Sequence, residues 1–175
     1  MTLRARAATV EDAPALAALA ALTFPLACPP GTDPADAAAF VRAHLTAARL
    51  AAHAADASCD LLLVEDPATP GTPLAYALVL DDAPPVGTDV AAPSRKVSKL
   101  YAHPDVHGTP VAPTLMAAVL AAARARGAAA AWLGVNARNT RAQRFYAKHG
   151  FEVVGTTTTR VGALTHDDLV LARHL

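Results

Sequence analysis

The sequence predicts an α/β fold: a central mixed sheet flanked by helices in the order β-α-α-β-β-β-α-β-α-β-β, within one domain over 1–175. Three observations predict it. Apolar runs of strand length alternate with alanine-rich stretches of helical periodicity. Pro- and Gly-rich breaks separate the two kinds of segment. The strand–loop–helix–strand unit at 97–135 is a β-α-β crossover, which should be parallel and right-handed.

The first strand is read at Leu3 to Ala8 and is followed by "TVEDAPALAALAAL". Thr9 and Asp12 have capping-box spacing, and Pro14 falls in the first turn, where its missing N–H is harmless. Leu16, Leu19, Ala20 and Leu22 repeat at helical spacing. Glu11 and Asp12 stand where a signal peptide would be free of charge, so an amphipathic helix is the better reading. "PLACPPGTDP" then ends this helix, and Asp33 with Pro34 opens a second one running to about Ala55. Phe40, Val41, Leu45 and Ala48 form its apolar face. "DLLLVED" and "LAYALVL", joined by a Pro- and Gly-containing turn, predict an antiparallel hairpin. Residues 81–94 read as a polar, mobile loop, and "RKVSKLYAH" as a third strand. A helix at 113–126 ends at Gly127, with Arg124 and Arg126 in its electronegative last turn. "AAAAWLGV" reads as a buried strand, Asn139 to His149 as a helix ended by Gly150, and "FEVVGTTTTRVG" and "HDDLVLARHL" as two closing strands.

Composition excludes several function classes. Lys plus Arg equals Asp plus Glu at 15 each, which argues against recruitment of nucleic acid or an anionic membrane surface by bulk charge. No stretch of about 18 apolar residues is expected to span a bilayer. Cys28 and Cys59 make neither a disulfide framework nor a zinc site, so a reduced, cytoplasmic protein is expected. His103 and His107 are four apart, but Pro104 and the loop context argue against a metal pair, and no metal is expected.

Two stretches carry chemistry. "HPDVHGTPVAPTLM" (103–116) places a loop against a helix N-terminus, whose unpaired N–H groups and partial positive charge suit a diphosphate. "NARNTRAQRFYAKHGF" (136–151) follows a buried strand and opens a helix carrying Tyr146. Together they resemble the GNAT superfamily of acyl-CoA-dependent N-acyltransferases. That family pairs a Gln/Arg-x-x-Gly-x-Gly/Ala loop with a later Asn-x-x-Ala-x-x-x-Tyr-x-x-x-Gly-Phe. The second motif is complete here as Asn139, Ala142, Tyr146, Gly150 and Phe151. In the first, His107 and Pro110 replace the usual residues, while Ala112 fits.

The resemblance implies a GNAT-like acetyltransferase fold and transfer of an acetyl group from acetyl-CoA to a primary amine. It implies that the backbone of Leu100, Tyr101 and Ala102 holds the pantetheine and acyl carbonyl, and that His107, Gly108, Thr109, Pro110, Val111 and Ala112 wrap the diphosphate. Gly108, Thr109, Val111, Ala112 and Thr114 still have N–H groups to offer, whereas Pro110 and Pro113 do not. Asn139 is implied near the pantetheine and Tyr146 near the sulfur, as the acid that protonates the thiolate. A fold that has lost CoA, serving as a binding or regulatory module or using another acyl donor, is the alternative reading.

The acceptor's proton needs a base, for which Glu65, Asp81, Asp82, His103, Asp105, Glu152 and His166 are all candidates. Acceptor contacts are expected from "FPLACPPGTDP" and "RVGALTHDD", with Phe24, Asp167 and Asp168 singled out for a small-molecule or peptide amine bearing an apolar part. Arg141 and Lys148 are expected to be solvated, and a homodimer is a further expectation drawn from similar proteins.

Overall fold

Seven strands form one sheet: β1 (Ala5–Ala7), β2 (Asp60–Glu65), β3 (Pro73–Leu80), β4 (Ser94–Ala102), β5 (Ala130–Asn136), β6 (Glu152–Val161) and β7 (Leu164–His174). Their spatial order is β1-β2-β3-β4-β5-β7-β6. All neighbours are antiparallel except β4 and β5, the parallel crossover pair expected from the sequence. The computed structural model describes residues 3–162 and 164–175. Ala163, within the stretch read as an acceptor wall, lies outside them.

Period-two alternation in the central strands feeds two cores, one on each side of the sheet. Leu62, Val64, Ala75, Ala77, Val79 and Val97 pack beneath α4 (Val111–Ala125). Leu61, Leu63, Tyr76 and Leu78 pack beneath α1 (Ala13–Ala27), α2 (Pro34–His44) and α3 (Ala47–Ala55). Burial of each large aliphatic side chain contributes roughly 1.5–3 kcal/mol. The fifth helix, α5 (Thr140–Lys148), lays Ala142, Phe145 and Tyr146 against the α4-side core.

The helices depart from the sequence reading in four places. A 3-10 turn at Val10–Asp12 precedes α1, with Asp12 Oδ2 accepting from Thr9 N at 2.8 Å. Helix α1 also runs through Pro25 to Ala27. That is possible because the Ala21 carbonyl left without a donor lies on the exposed side of the last turns. The single helix expected to Ala55 is two, because Thr46 starts a new one by accepting from Arg49 N, while Leu45 turns into the core. Helix α4 starts at Val111, so Pro113 is its third residue and Pro110 its N-cap.

By length and composition, the helical run Val10–Ala27 would be long and apolar enough to cross a membrane, with a mean hydropathy of 1.3 over 18 residues. This corrects the sequence reading that no such stretch exists. In the fold its inner face (Leu16, Leu19, Ala20, Thr23 and Phe24) is buried on the sheet.

The loop at 81–94, read as mobile, is docked. Trp132 Nε1 donates to the Asp82 carbonyl at 3.2 Å, and Thr88 packs on Gly155, where a Cβ would come within 2.6 Å of it.

Candidate active site

The parallel β4–β5 ladder pairs only Ser94, Arg95 and Lys96 with Ala130, Ala131 and Trp132. Beyond it the strands separate. On the other edge of β4 the register with β3 slips, so that Leu78 faces Lys99 and Val79 faces Val97. Ser98 is thus an extra residue, a bulge that bends β4. The split leaves a cleft of about 270 Å³ between Val97–Ala102 and Gly134–Asn136.

Five further elements close the cleft. Thr23, Phe24, Leu26 and Ala27 at the end of α1, with Cys28 and Pro29 just beyond it, cover one side. Asn139, Arg141, Ala142 and Tyr146 approach from α5, and His107 from the loop before α4. Thr159 and Val161 of β6, with His166 and Asp168 of β7, form the far wall. The structure therefore brings Leu100, Tyr101, Ala102, His107, Asn139, Tyr146, Phe24 and Asp168 together, as expected from the sequence.

Asp167 is excluded by strand alternation. Asp168 faces the cleft, so its neighbour points away, and Asp167 contributes only its carbonyl, to Ala137 N at 3.0 Å. Asp168 is held by Asn136 Nδ2 at 3.3 Å and by the Thr159 hydroxyl at 2.5 Å. Phe24 is stacked on Phe40, with centroids 4.4 Å apart.

Tyr146 touches Phe145 and Phe151 with its ring edge-on, and burial pushes its phenol up to about 12. It stays protonated at neutral pH. Asn139 is already employed: its Oδ1 caps α5 by accepting from Ala142 N at 3.0 Å. Its amide nitrogen makes no hydrogen bond among the described residues and is the part of the side chain left to donate into the cleft.

The loop does not match its expected donor set. Pro110 adopts φ −67° and ψ −4°, compatible with the helix it caps, and the positive φ of 80° falls at Gly108 instead. Of the proposed donors, Thr109 N is spent on the Val106 carbonyl and Thr114 N on that of Pro110. Val111 N reaches Thr109 Oγ1 at a long 3.4 Å. Gly108 and Ala112 keep N–H groups without a partner among the described residues. Neither they nor Pro110, Val111 and Thr114 line the cleft itself; His107 alone of the loop does.

Sequence reasoning missed two cations. Arg141, expected to be solvated, is exposed as expected, but it also lines the cleft and places Nη1 2.9 Å from His107 Nδ1. With Arg138 it also lines an adjoining hollow of about 370 Å³ bounded by Pro29 and Pro30. No local pattern marks Arg141, because its neighbour His107 is 34 residues away. Lys99 lines the cleft with no ion-pair partner among the described residues, and burial lowers its ammonium from the usual range. His103 and His107 have separate duties, since His103 Nδ1 accepts from Asp105 N at 3.2 Å.

A family model matches the stretch of chain that contains the split strands, Asn139 and Tyr146. The model described as Acetyltransferase (GNAT) family covers residues 26–151. The chain belongs to the GNAT acetyltransferase family. Relatives of this GNAT chain include an uncharacterized N-acetyltransferase of Mycobacterium tuberculosis, 46% identical over 168 residues, which are 95% of this chain and 99% of that one. Among solved structures, the PaiA N-acetyltransferase of Thermoplasma acidophilum in complex with coenzyme A superposes with a TM-score of 0.80 at 16% identity, covering all of both chains. A GCN5-related N-acetyltransferase of Rhodopseudomonas palustris gives 0.73 at 22%, covering 100% of this chain and 97% of that one. At these identities the likeness to the solved structures is one of fold.

Proposed function

We propose that this GNAT protein transfers an acetyl group from acetyl-CoA to a primary amine by direct attack. The observation that carries the reading is the split between β4 and β5, which sets an unpaired backbone edge beside the half-buried phenol of Tyr146. N–H groups on that edge stabilise a developing oxyanion, because they are fixed before charge appears. Gly108 N, Ala112 N and the Arg138–Arg141 pair supply the donors and positive charge that a diphosphate needs. Arg141 thereby offsets the two N–H groups lost to Pro110 and Pro113.

Tyr146 protonates the departing sulfur. A phenol near 12 is a weaker acid than a thiol near 8.5, so complete transfer alone is uphill by about 5 kcal/mol. Tyr146 must regain a proton from the attacking nitrogen as it gives one to sulfur. The acceptor is a small-molecule or peptide amine with an apolar part, matched by Phe24, Leu26 and Val161, and its ammonium is attracted by Asp168.

Isothermal titration with acetyl-CoA, with desulfo-CoA and ATP as controls, tests the donor half. Micromolar binding of both CoA compounds, with ATP much weaker, is the expected result. No binding at millimolar acetyl-CoA would favour the reading in which this fold serves as a binding module or uses another acyl donor.

A further inference from the structure

We propose that His166 is the base that takes the acceptor's proton, and that the acceptor is an alkylammonium with an aromatic or similarly flat apolar body. The proposal rests on the acetyl-transfer reading above. His166 Nε2 is buried with no hydrogen-bond partner among the described residues, and the side chain lines the cleft. Leaving a buried polar nitrogen unpaired costs on the order of 1–3 kcal/mol, which a ligand donating an N–H would relieve. Two residues along β7, on the same strand face, lies Asp168, whose fixed carboxylate attracts an ammonium. Phe24, stacked on Phe40, offers a flat apolar wall.

The other groups sequence reasoning offered as bases lie outside the cleft. Glu65 is bound by Arg6 and Gly71 N, Asp82 by Lys96, and His103 by its own turn. Of the titratable groups that do line it, Cys28, Tyr101 and Tyr146 are held protonated by burial. His107 is engaged by Arg141, a fixed cation, and Asp168 by Asn136 and Thr159. Lys99 is the remaining rival: it must shed its own proton before it can accept one, and the Lys99→Met variant below tests it directly. An imidazole suits the task because histidine ionises closer to neutral pH than any other side chain in its ordinary state.

The proton balance closes. The ammonium gives one proton to His166 Nε2, and the free amine forms the C–N bond as the C–S bond breaks. The nitrogen's second proton replaces the one Tyr146 delivers to sulfur, and His166 passes its own to water. The products are the amide, CoA thiol and one proton.

Two isosteric probes isolate this step: 2-phenylethylamine, an ammonium at neutral pH, and O-benzylhydroxylamine, already a free base. His166→Gln should lower kcat/KM for 2-phenylethylamine by about 10²–10³-fold, the usual worth of a general base. The loss with O-benzylhydroxylamine should be at least about tenfold smaller, because that nucleophile needs no deprotonation before attack. A second variant, His166→Ala, should regain turnover of 2-phenylethylamine when imidazole is added. Equal losses with both probes, no loss, or a selective loss in Lys99→Met instead would overturn the assignment. So would wild-type protein that binds acetyl-CoA yet acetylates neither probe, an outcome that leaves the donor half of the reading intact. Failure to bind acetyl-CoA would overturn the acetyl-transfer reading itself, and this assignment with it.

Discussion

The two ends of the cleft are built differently. The donor end, around His107 and α5, uses backbone N–H groups and guanidinium groups presented by a loop and a helix N-terminus. The acceptor end uses side chains from α1, β6 and β7 that are brought together only by the sheet. On the acetyl-transfer reading, much of the donor end rests on main-chain geometry, so a substitution that keeps the helix start should keep that part of the site. At the acceptor end each group is a single side chain, and nothing nearby replaces it. On the acetyl-transfer reading, the donor end should tolerate two prolines with Arg141 in place, whereas the acceptor end should depend on the register of β7.

Four measurements would break or sharpen that contrast, beginning with the largest effect. On the acetyl-transfer reading, Tyr146 stands between the two ends and serves both partners. Tyr146→Phe should reduce kcat by about 10²–10³-fold while the acetyl-CoA Kd from titration moves less than about twofold. Parallel losses in both would make the phenol a structural group.

The acceptor end also depends on how α1 is anchored. Arg6 binds Asp12 through Nη1 at 2.7 Å and Nη2 at 2.8 Å, and Glu65 through Nε at 3.0 Å, tying the start of α1 to β1 and β2. The hydrogen-bonded guanidinium, helped by Thr9 N–H, holds the Asp12 carboxyl at about 2. A carboxyl depressed in the folded state stabilises above its unfolded value and loses that contribution as pH falls through the folded one. The relevant window runs from about pH 4 down to about pH 2, and the contribution is on the order of 2 kcal/mol. Asp12→Asn should lower stability by about that much at pH 7 in urea melts and flatten the acid limb over this window. An unchanged acid limb would mean that other carboxylates control it.

A smaller effect is expected at the donor end. Arg141→Ala should weaken acetyl-CoA binding by about tenfold, the lower range for one charge-assisted contact, with kcat at saturation little changed. No change in Kd would return Arg141 to the solvated role that sequence reasoning gave it. The smallest effect belongs to the prolines. Pro110→Gly restores one N–H but loosens the N-cap, so a gain in acetyl-CoA affinity of only about three- to tenfold is expected. Weaker binding would show that the loop uses the rigid cap for its own geometry.

The helix ends show where sequence reasoning succeeded and where it stopped. Asn139 at the start of α5, Gly127 after α4 and the Thr9–Asp12 pair before α1 are local features, decided within a few residues. The break at Thr46 was misread because alanine runs keep helical periodicity through a position where burial of Leu45 sets the geometry. Pro25 was misread for the reverse reason, since an exposed last turn tolerates what a helix interior would not.

The sequence by itself determined the order of the strands, the parallel crossover and the family motif, because each follows from short-range periodicity and from residues at fixed spacing; it merged α2 and α3 into one helix. It also pointed to Asn139, Tyr146 and the Leu100–Ala102 strand. Tertiary structure decided which candidates share one space. It admitted Asp168 and removed Asp167 by strand alternation, and it placed Arg141 on His107 across 34 residues. It also left His166 alone among the candidate bases facing the cleft. These facts depend on register and on the bulge at Ser98, which are fixed by packing between distant strands and leave no local trace along the chain.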